Sequence, residues 1–130
     1  MRSCRELVVW QKAVDLVVEI YGITRAFPKS ELYGLASQMQ RAAVSVPSNI
    51  AEGQALKQTR AYLRHLSIAS GSLAELETQL EIASRLGYLT AEYEVVFEQA
   101  NEVGRMLSAL RNGIQKKSES SSPLEILDPR

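Results

Sequence analysis

The segment RAAVSVPSNIAEGQA, from Arg41 to Ala55, combines a helical hydrophobic pattern with residues that interrupt helices. Apolar residues run through it at helical spacing, namely Met39, Ala43, Val46 and Ile50. Pro47 lies inside this pattern, where a proline removes one backbone N–H and crowds the carbonyl group four residues earlier. Because the apolar line stays in phase on both sides of Pro47, we predict a helix that bends at this residue and continues beyond it.

The polar residues of the same segment are also ordered. Four of them are spaced by four, three and four positions, so they share one helical face: Arg41, Ser45, Ser48 and Glu52. Asn49 lies between this face and the apolar line, and Gly53 lies on the core side, where the missing side chain lets another backbone approach. The pattern fits either a solvated face with a helix-ending glycine or a polar network that holds a neighbouring subunit or a ligand.

Helical periodicity extends over most of the chain. It predicts four helices, at about residues 5–26, 31–54, near 59 to 86, and from just after Thr90. Candidate N-caps precede three of them, namely Ser30, Thr59 and Thr90, and Gly87 fits the position just beyond the third helix. Short connections place consecutive helices antiparallel. We therefore predict an all-α fold, a left-handed up-down-up-down antiparallel four-helix bundle with a kinked second helix.

Each predicted helix carries apolar residues for a core. In the second helix the apolar line is Leu32, Leu35, Met39, Ala43, Val46 and Ile50. In the third helix it is Tyr62, Leu66, Ala69, Leu73, Leu76, Leu80 and Ala83. In the fourth helix it is Tyr93, Val96, Ala100, Val103, Leu107, Leu110 and Ile114. The first helix has two such stripes, Trp10, Val14, Val17 and Tyr21, and Val9, Ala13, Leu16, Ile20 and Ile23. Two stripes exceed what one bundle covers, so we predict a homo-oligomer.

Length and composition limit the remaining possibilities. The 130 residues suit one domain, and we predict a bundle over residues 1–117 followed by a Ser-rich tail over residues 118–130. Fifteen Lys and Arg residues balance fifteen Asp and Glu residues, and the single cysteine, Cys4, excludes an intrachain disulfide. There is no signal peptide and no apolar run of about 18 residues, so we expect a cytoplasmic protein with no membrane partner.

Metal and cofactor chemistry lacks the residues it needs. A di-iron bundle needs Glu-x-x-His pairs, whereas the one histidine, His65, has Tyr62 three residues before it. One Cys and one His are too few for a zinc site, and no Walker-type glycine loop is present. We expect His65 at the surface or at the core boundary, and we expect no metal, no cofactor and no enzymatic activity.

Three segments of the sequence carry a family resemblance. They are LVVWQKAVDLVVEIY (7–21), SVPSNIAEG (45–53) and SIASGSLAELETQLEIASRLGYL (67–89). In this order and spacing they closely resemble the 23S ribosomal RNA intervening-sequence proteins, also called four-helix-bundle proteins, over about residues 5–115. The resemblance implies a ring-shaped homo-pentamer without known enzymatic activity. Some relatives are encoded inside ribosomal RNA genes, and a related branch works with retroelement reverse transcriptases and binds nucleic acid through a basic surface.

A small basic cluster follows the segment quoted first. Lys57, Arg60 and Arg64 are spaced by three and four positions, opposite the apolar line of the third helix. They form either an ordinary solvated face or a set of phosphate contacts that a ring would repeat in every subunit. We therefore expect a non-enzymatic oligomeric scaffold that binds RNA or a nucleoprotein partner. The alternative is a protein-interaction adaptor with no nucleic-acid role.

Overall fold

Four long helices make up most of the computed structural model, which describes residues 3–120. They are α1 (Val8–Thr24), α2 (Leu35–Leu56), α3 (Thr59–Arg85) and α4 (Glu92–Ser120). Two short 3-10 turns, Cys4–Glu6 and Lys29–Glu31, precede α1 and α2. No strand occurs among these described residues, and the prediction of an all-α fold is confirmed.

The helices pack as an antiparallel bundle. Asn49 of α2 contacts His65 of α3, so the end of one helix faces the start of the next. A hydrogen bond from Gln40 to Thr24 joins the first half of α2 to the end of α1. Another, from Tyr93 to Glu81, joins the start of α4 to the last part of α3. Each helix contacts two neighbours, with α1 and α3 at opposite corners, and the α2–α3 contact is the most extensive. The predicted four-helix bundle is therefore confirmed.

The core follows the predicted apolar lines with a few shifts. The buried members include Met39, Ala43, Val46 and Ile50 of α2, Leu66 to Ala83 of the α3 line, and Val96 to Leu107 of the α4 line. Leu32 is wrongly predicted as core, because α2 begins only at Leu35 and leaves Leu32 56% exposed in the preceding turn. In α1 the stripe from Val9 to Ile23 is the buried one.

Helix α2 continues through its proline, as predicted. Pro47 is buried within the unbroken helix Leu35–Leu56. The missing N–H leaves the carbonyl group of Ala43 without its usual donor, which is the physical cause of a bend at such a position. Two residues further on, the side-chain amide of Asn49 donates to the carbonyl oxygen of Ser45 at 2.9 Å. The segment thus combines a lost backbone donor with an added side-chain donor.

The helix ends agree only partly with the predicted caps. Gly87 lies just beyond the third helix, as predicted, with φ +80°. The N–H of Gly87 donates to Ser84 O and the N–H of Tyr88 to Ala83 O, which is a Schellman arrangement. Ser30 is not a cap, because it lies in a 3-10 turn. The carboxylate of Glu31 performs that role by accepting from the N–H of Leu35 at 3.0 Å.

The other two candidate caps are also displaced. Thr59 is the first helical residue of α3, and Gln58 occupies the cap position. Helix α4 begins at Glu92, two residues after Thr90. At the other end α4 runs to Ser120, so the first three residues of the predicted tail are helical. The rest of the predicted tail, residues 121–130, lies outside the described residues.

Candidate functional site

The α2–α3 interface contains a ladder of hydrogen-bonded polar side chains. The hydroxyl groups of Ser45 and Ser72 are 2.7 Å apart, and the amide nitrogen of Asn49 donates to Ser45 Oγ at 3.1 Å. The amide oxygen of Asn49 in turn lies 2.9 Å from His65 Nδ1. We call Ser72, Ser45, Asn49 and His65 the polar ladder. It joins α2 to α3.

His65 does not lie where we expected it. It is buried, with 6% of its surface exposed, so the expectation of a surface or boundary position is wrong. Because Asn49 directs its amide nitrogen to the carbonyl oxygen of Ser45, its amide oxygen faces His65, and an amide oxygen can only accept. The imidazole therefore carries a proton on Nδ1. Glu52 Oε1 lies 3.9 Å from the same nitrogen and extends towards solvent.

Gly53 explains the burial of His65. A Cβ atom added at Gly53 would lie 2.9 Å from His65 Cβ and 3.0 Å from Tyr62 Cδ1. Carbon atoms in ordinary contact are about 3.5–4.0 Å apart, so only glycine permits this approach of α2 to α3. The close approach expected at Gly53 is observed, and the neighbour is α3 of the same chain.

The structure divides the predicted polar face into two groups. Ser45 and Asn49 are half-buried and belong to the polar ladder. Arg41, Ser48 and Glu52 are exposed. Arg41 lines a shallow pocket of about 250 Å³ beside Ser45, Ser72 and Glu75. The pattern thus contains an internal network and an outer row that no residue of the described chain covers.

The predicted basic cluster is exposed at one end of the bundle. Lys57, Arg60 and Arg64, which we call the basic patch, are all exposed, and none forms an ion pair within residues 3–120. Lys57 is not helical. It forms the α2–α3 turn with φ +58°, a left-handed conformation that costs a side-chain-bearing residue about 1–2 kcal/mol. Arg60 lies in the first turn of α3, where the helix dipole disfavours a cation and favours an anionic partner.

Charge is segregated along the bundle. We divide the described chain at the level of the contact between Ser45 of α2 and Ser72 of α3. In α4 this level falls at Gly104, because Gly104 lies against Leu73, the residue after Ser72. Residues 3–16, 46–71 and 103–119 form the basic half, with nine Lys and Arg residues against four Asp and Glu residues. Residues 17–45 and 72–102 form the acidic half, with four against nine. A chain with no net charge therefore folds with about five positive charges in one half and five negative charges in the other.

The basic half also contains an apolar cavity at the open end of the core. Its volume is about 520 Å³, and residues of all four helices or their flanking turns line it, among them Cys4, Leu7, Gln54, Tyr62 and Ile114. Burial raises the pKa of Tyr62, and the neighbouring Cys4 thiol adds to the effect. The side-chain oxygen of Gln54 is buried there and has no hydrogen-bond partner in the described part of the chain.

Sequence reasoning missed two parts of this arrangement. It did not place His65 and Ser72 in one network, because the two residues lie on the predicted third helix with no signal for which side faces α2. It also missed the charge segregation, since the basic residues at the start of α3 and those at the end of α4 are about 50 residues apart in the sequence.

Within residues 3–120, no group of three or more His, Cys, Asp or Glu residues has a geometry that suits a metal ion. In the same part of the chain, no helix is long and apolar enough to cross a membrane.

The architecture and the interface define a helical-bundle protein, and the comparisons with known proteins place it more closely. Residues 5–109 match the family model of the 23S rRNA-intervening sequence protein, and the chain belongs to this family. A crystal structure of a protein of unknown function from the S23 ribosomal protein family of Bacteroides thetaiotaomicron is similar, with a TM-score of 0.74 and 24% identity. The match covers 81% of this chain and 96% of that one, and it supports the fold. No curated protein matches the sequence.

Proposed function

We propose that this chain is a non-enzymatic, cytoplasmic scaffold that forms a homo-oligomer and binds RNA, alone or within a nucleoprotein. The observation that carries the proposal is the basic patch: Lys57, Arg60 and Arg64 are exposed at one end of the bundle and form no ion pair with any residue from 3 to 120. Phosphate groups would neutralise these cations, and the α3 dipole would favour the same anions. The family is named after an intervening sequence of 23S rRNA, and RNA is the polyanion that we propose.

The surface of α1 and the following turn supports assembly. Val18 is 66% exposed and Tyr21 42% exposed on α1, and Tyr33 in the next turn is 92% exposed. Large apolar side chains that are exposed favour a protein contact. Arg41, Ser48 and Glu52 are the members of the predicted contact set that remain free for a partner, whereas Ser45, Asn49 and Gly53 are engaged with α3. The pentameric state rests on the family resemblance.

RNA binding is tested by fluorescence anisotropy with a labelled single-stranded 20-mer. Three phosphate contacts give a salt slope of about 2, so affinity should fall roughly twentyfold between 50 and 200 mM salt. Changing Lys57, Arg60 and Arg64 to Glu together should abolish binding at the lower salt concentration. A matched control changes three exposed cations of the acidic half, Arg25, Lys29 and Arg85, to Glu and should retain it. Equal loss in both variants would contradict a role specific to the patch.

Assembly is tested by light scattering on the unmodified chain at micromolar concentration. We expect a mass of about five subunits, and a monomer mass would contradict the scaffold proposal. The basic-patch variant should keep the wild-type mass, because its changes lie away from the apolar surface of α1. An intact oligomer that binds no RNA at 50 mM salt would instead support the protein-interaction adaptor.

A further inference from the structure

A groove between α3 and α4 is lined partly by polar side chains. Its volume is about 620 Å³, and it is lined by hydroxyl, amide and guanidinium groups, namely those of Ser70, Asn101, Arg105, Ser108, Arg111 and Asn112. Glu77 is the one acidic residue of the lining. The side chains of Asn101 and Asn112 make no hydrogen bond within residues 3–120, and Arg111 makes no ion pair there. Arg105 donates to Glu98 at 3.0 Å, so the donors that the groove offers to a ligand are those of Asn101, Arg111 and Asn112.

The groove is continuous with the basic patch. Arg60, Arg64, Ser67, Gly71 and Ala74 follow one another by four, three, four and three positions, so they form one stripe along α3. All five are exposed, and Ala74 lines the groove. A Cβ atom added at Gly71 would meet nothing within 4 Å. The path from the two arginines to the groove is therefore open and has only small side chains along it.

The shape and chemistry of the groove select its occupant. Packed helices have axes about 8–10 Å apart, so the depression between two of them admits a single extended strand, whereas a duplex is too wide to enter. Its guanidinium, amide and hydroxyl groups are donors for phosphate and sugar oxygens. None of the lining residues is aromatic, so the bases have no stacking platform. These features fit the sugar-phosphate backbone of a single strand, bound without regard to its sequence.

We propose that the α3–α4 groove, with Arg111 beside Asn112, holds the backbone of single-stranded RNA that continues from Arg60 and Arg64. This inference rests on the proposed function and names the path that the RNA takes. Glu77, which lines the groove within the acidic half, opposes the strand by charge.

Two variants test the groove by charge and by shape. Arg111→Gln removes one phosphate contact and should lower the salt slope by about 0.7 while weakening binding several-fold at 50 mM salt. Ala74→Trp leaves the charge unchanged and fills the groove, so it should weaken binding at least tenfold. Ile82→Trp is the control, because Ile82 is exposed on α3 in the acidic half and should bind as the wild type does. Glu77→Gln should strengthen binding.

The titrations use the full-length chain with the labelled 20-mer, and circular dichroism verifies that each variant keeps the wild-type helix content. If the wild-type chain binds RNA and both Arg111→Gln and Ala74→Trp bind it with the same affinity, the proposal that RNA occupies the groove is overturned. The basic patch then remains as the binding site. A preference for duplex RNA of the same length would also overturn it. If the wild-type chain binds no RNA, the proposed function and the groove both fail.

Discussion

Replacing Gly53 with alanine tests the close approach that sets the α2–α3 interface. The new methyl carbon would lie 2.9 Å from His65 Cβ and 3.4 Å from Tyr62 Cα. The first distance is about 0.6–1 Å shorter than an ordinary carbon–carbon contact. Because a Cβ atom and a backbone atom cannot rotate away, the two helices must separate. The separation would also stretch the 2.9 Å hydrogen bond between His65 and Asn49.

The expected free-energy change follows from two opposing effects. Overpacking a helix interface costs about 1–3 kcal/mol, whereas glycine-to-alanine substitution inside a helix gains about 1 kcal/mol. Weakening the Asn49–His65 hydrogen bond costs about 1 kcal/mol more. The net effect is a loss of about 1–3 kcal/mol in the free energy of unfolding. For a chain of this length that lowers Tm by about 4–10 °C.

Thermal unfolding followed by circular dichroism measures this change at one fixed protein concentration, since the Tm of an oligomer depends on concentration. Gly71→Ala is the matched control, because Gly71 is also helical but its added Cβ meets nothing within 4 Å. This control should gain about 1 kcal/mol. If Gly53→Ala is as stable as Gly71→Ala, the close packing at Gly53 does not exist in solution.

Three further substitutions test the ladder, the turn and the groove. Asn49→Ala removes a half-buried hub of the ladder and should cost about 1–3 kcal/mol in chemical denaturation, while Ser48→Ala, at the exposed neighbouring position, should cost nothing. Lys57→Gly relieves the left-handed backbone and should raise the free energy of unfolding by about 1 kcal/mol, with no gain refuting strain at φ +58°. Burial raises the pKa of Glu77, so its ionised form destabilises the fold as pH rises from the ordinary carboxyl range through the raised folded-state value. Glu77→Gln should therefore raise Tm at neutral pH, and this gain should disappear below the ordinary carboxyl pKa.

The helices themselves could be predicted because their signals are local. The line through Met39, Val46 and Ile50 is visible in the sequence and is buried in the structure. Gly87 could be assigned because a glycine just beyond a helical pattern has one common geometry. Ser30 misled the prediction, since the 3-10 turn at Lys29–Glu31 has too little apolar periodicity to separate it from α2. A carboxylate one residue later then supplied the cap.

The site was harder to predict because it depends on distances between helices. Periodicity placed Asn49 and Gly53 correctly on α2, but it could not show that His65 lies against both. A histidine at the edge of an apolar line is ordinarily half-exposed. Because Gly53 has no side chain, α2 approaches α3 closely, and this approach closes the space that solvent would occupy around His65. The charge segregation is invisible in the composition for the same reason, since it appears only when the start of α3 and the end of α4 come together.

The polar ladder and the basic half depend on one another. Rotation of α3 by one residue turns its side chains by about 100°, which would take Arg60 and Arg64 away from the groove and place other residues beside α4. Apolar contacts alone tolerate such slips more readily than hydrogen bonds between Asn49, His65 and the two serines, whose partners are specific. The polar ladder at the α2–α3 interface therefore fixes the rotation of α3, and this rotation determines which side of the bundle presents Arg60 and Arg64. In this arrangement an internal hydrogen-bond network sets the geometry of the surface proposed to bind RNA.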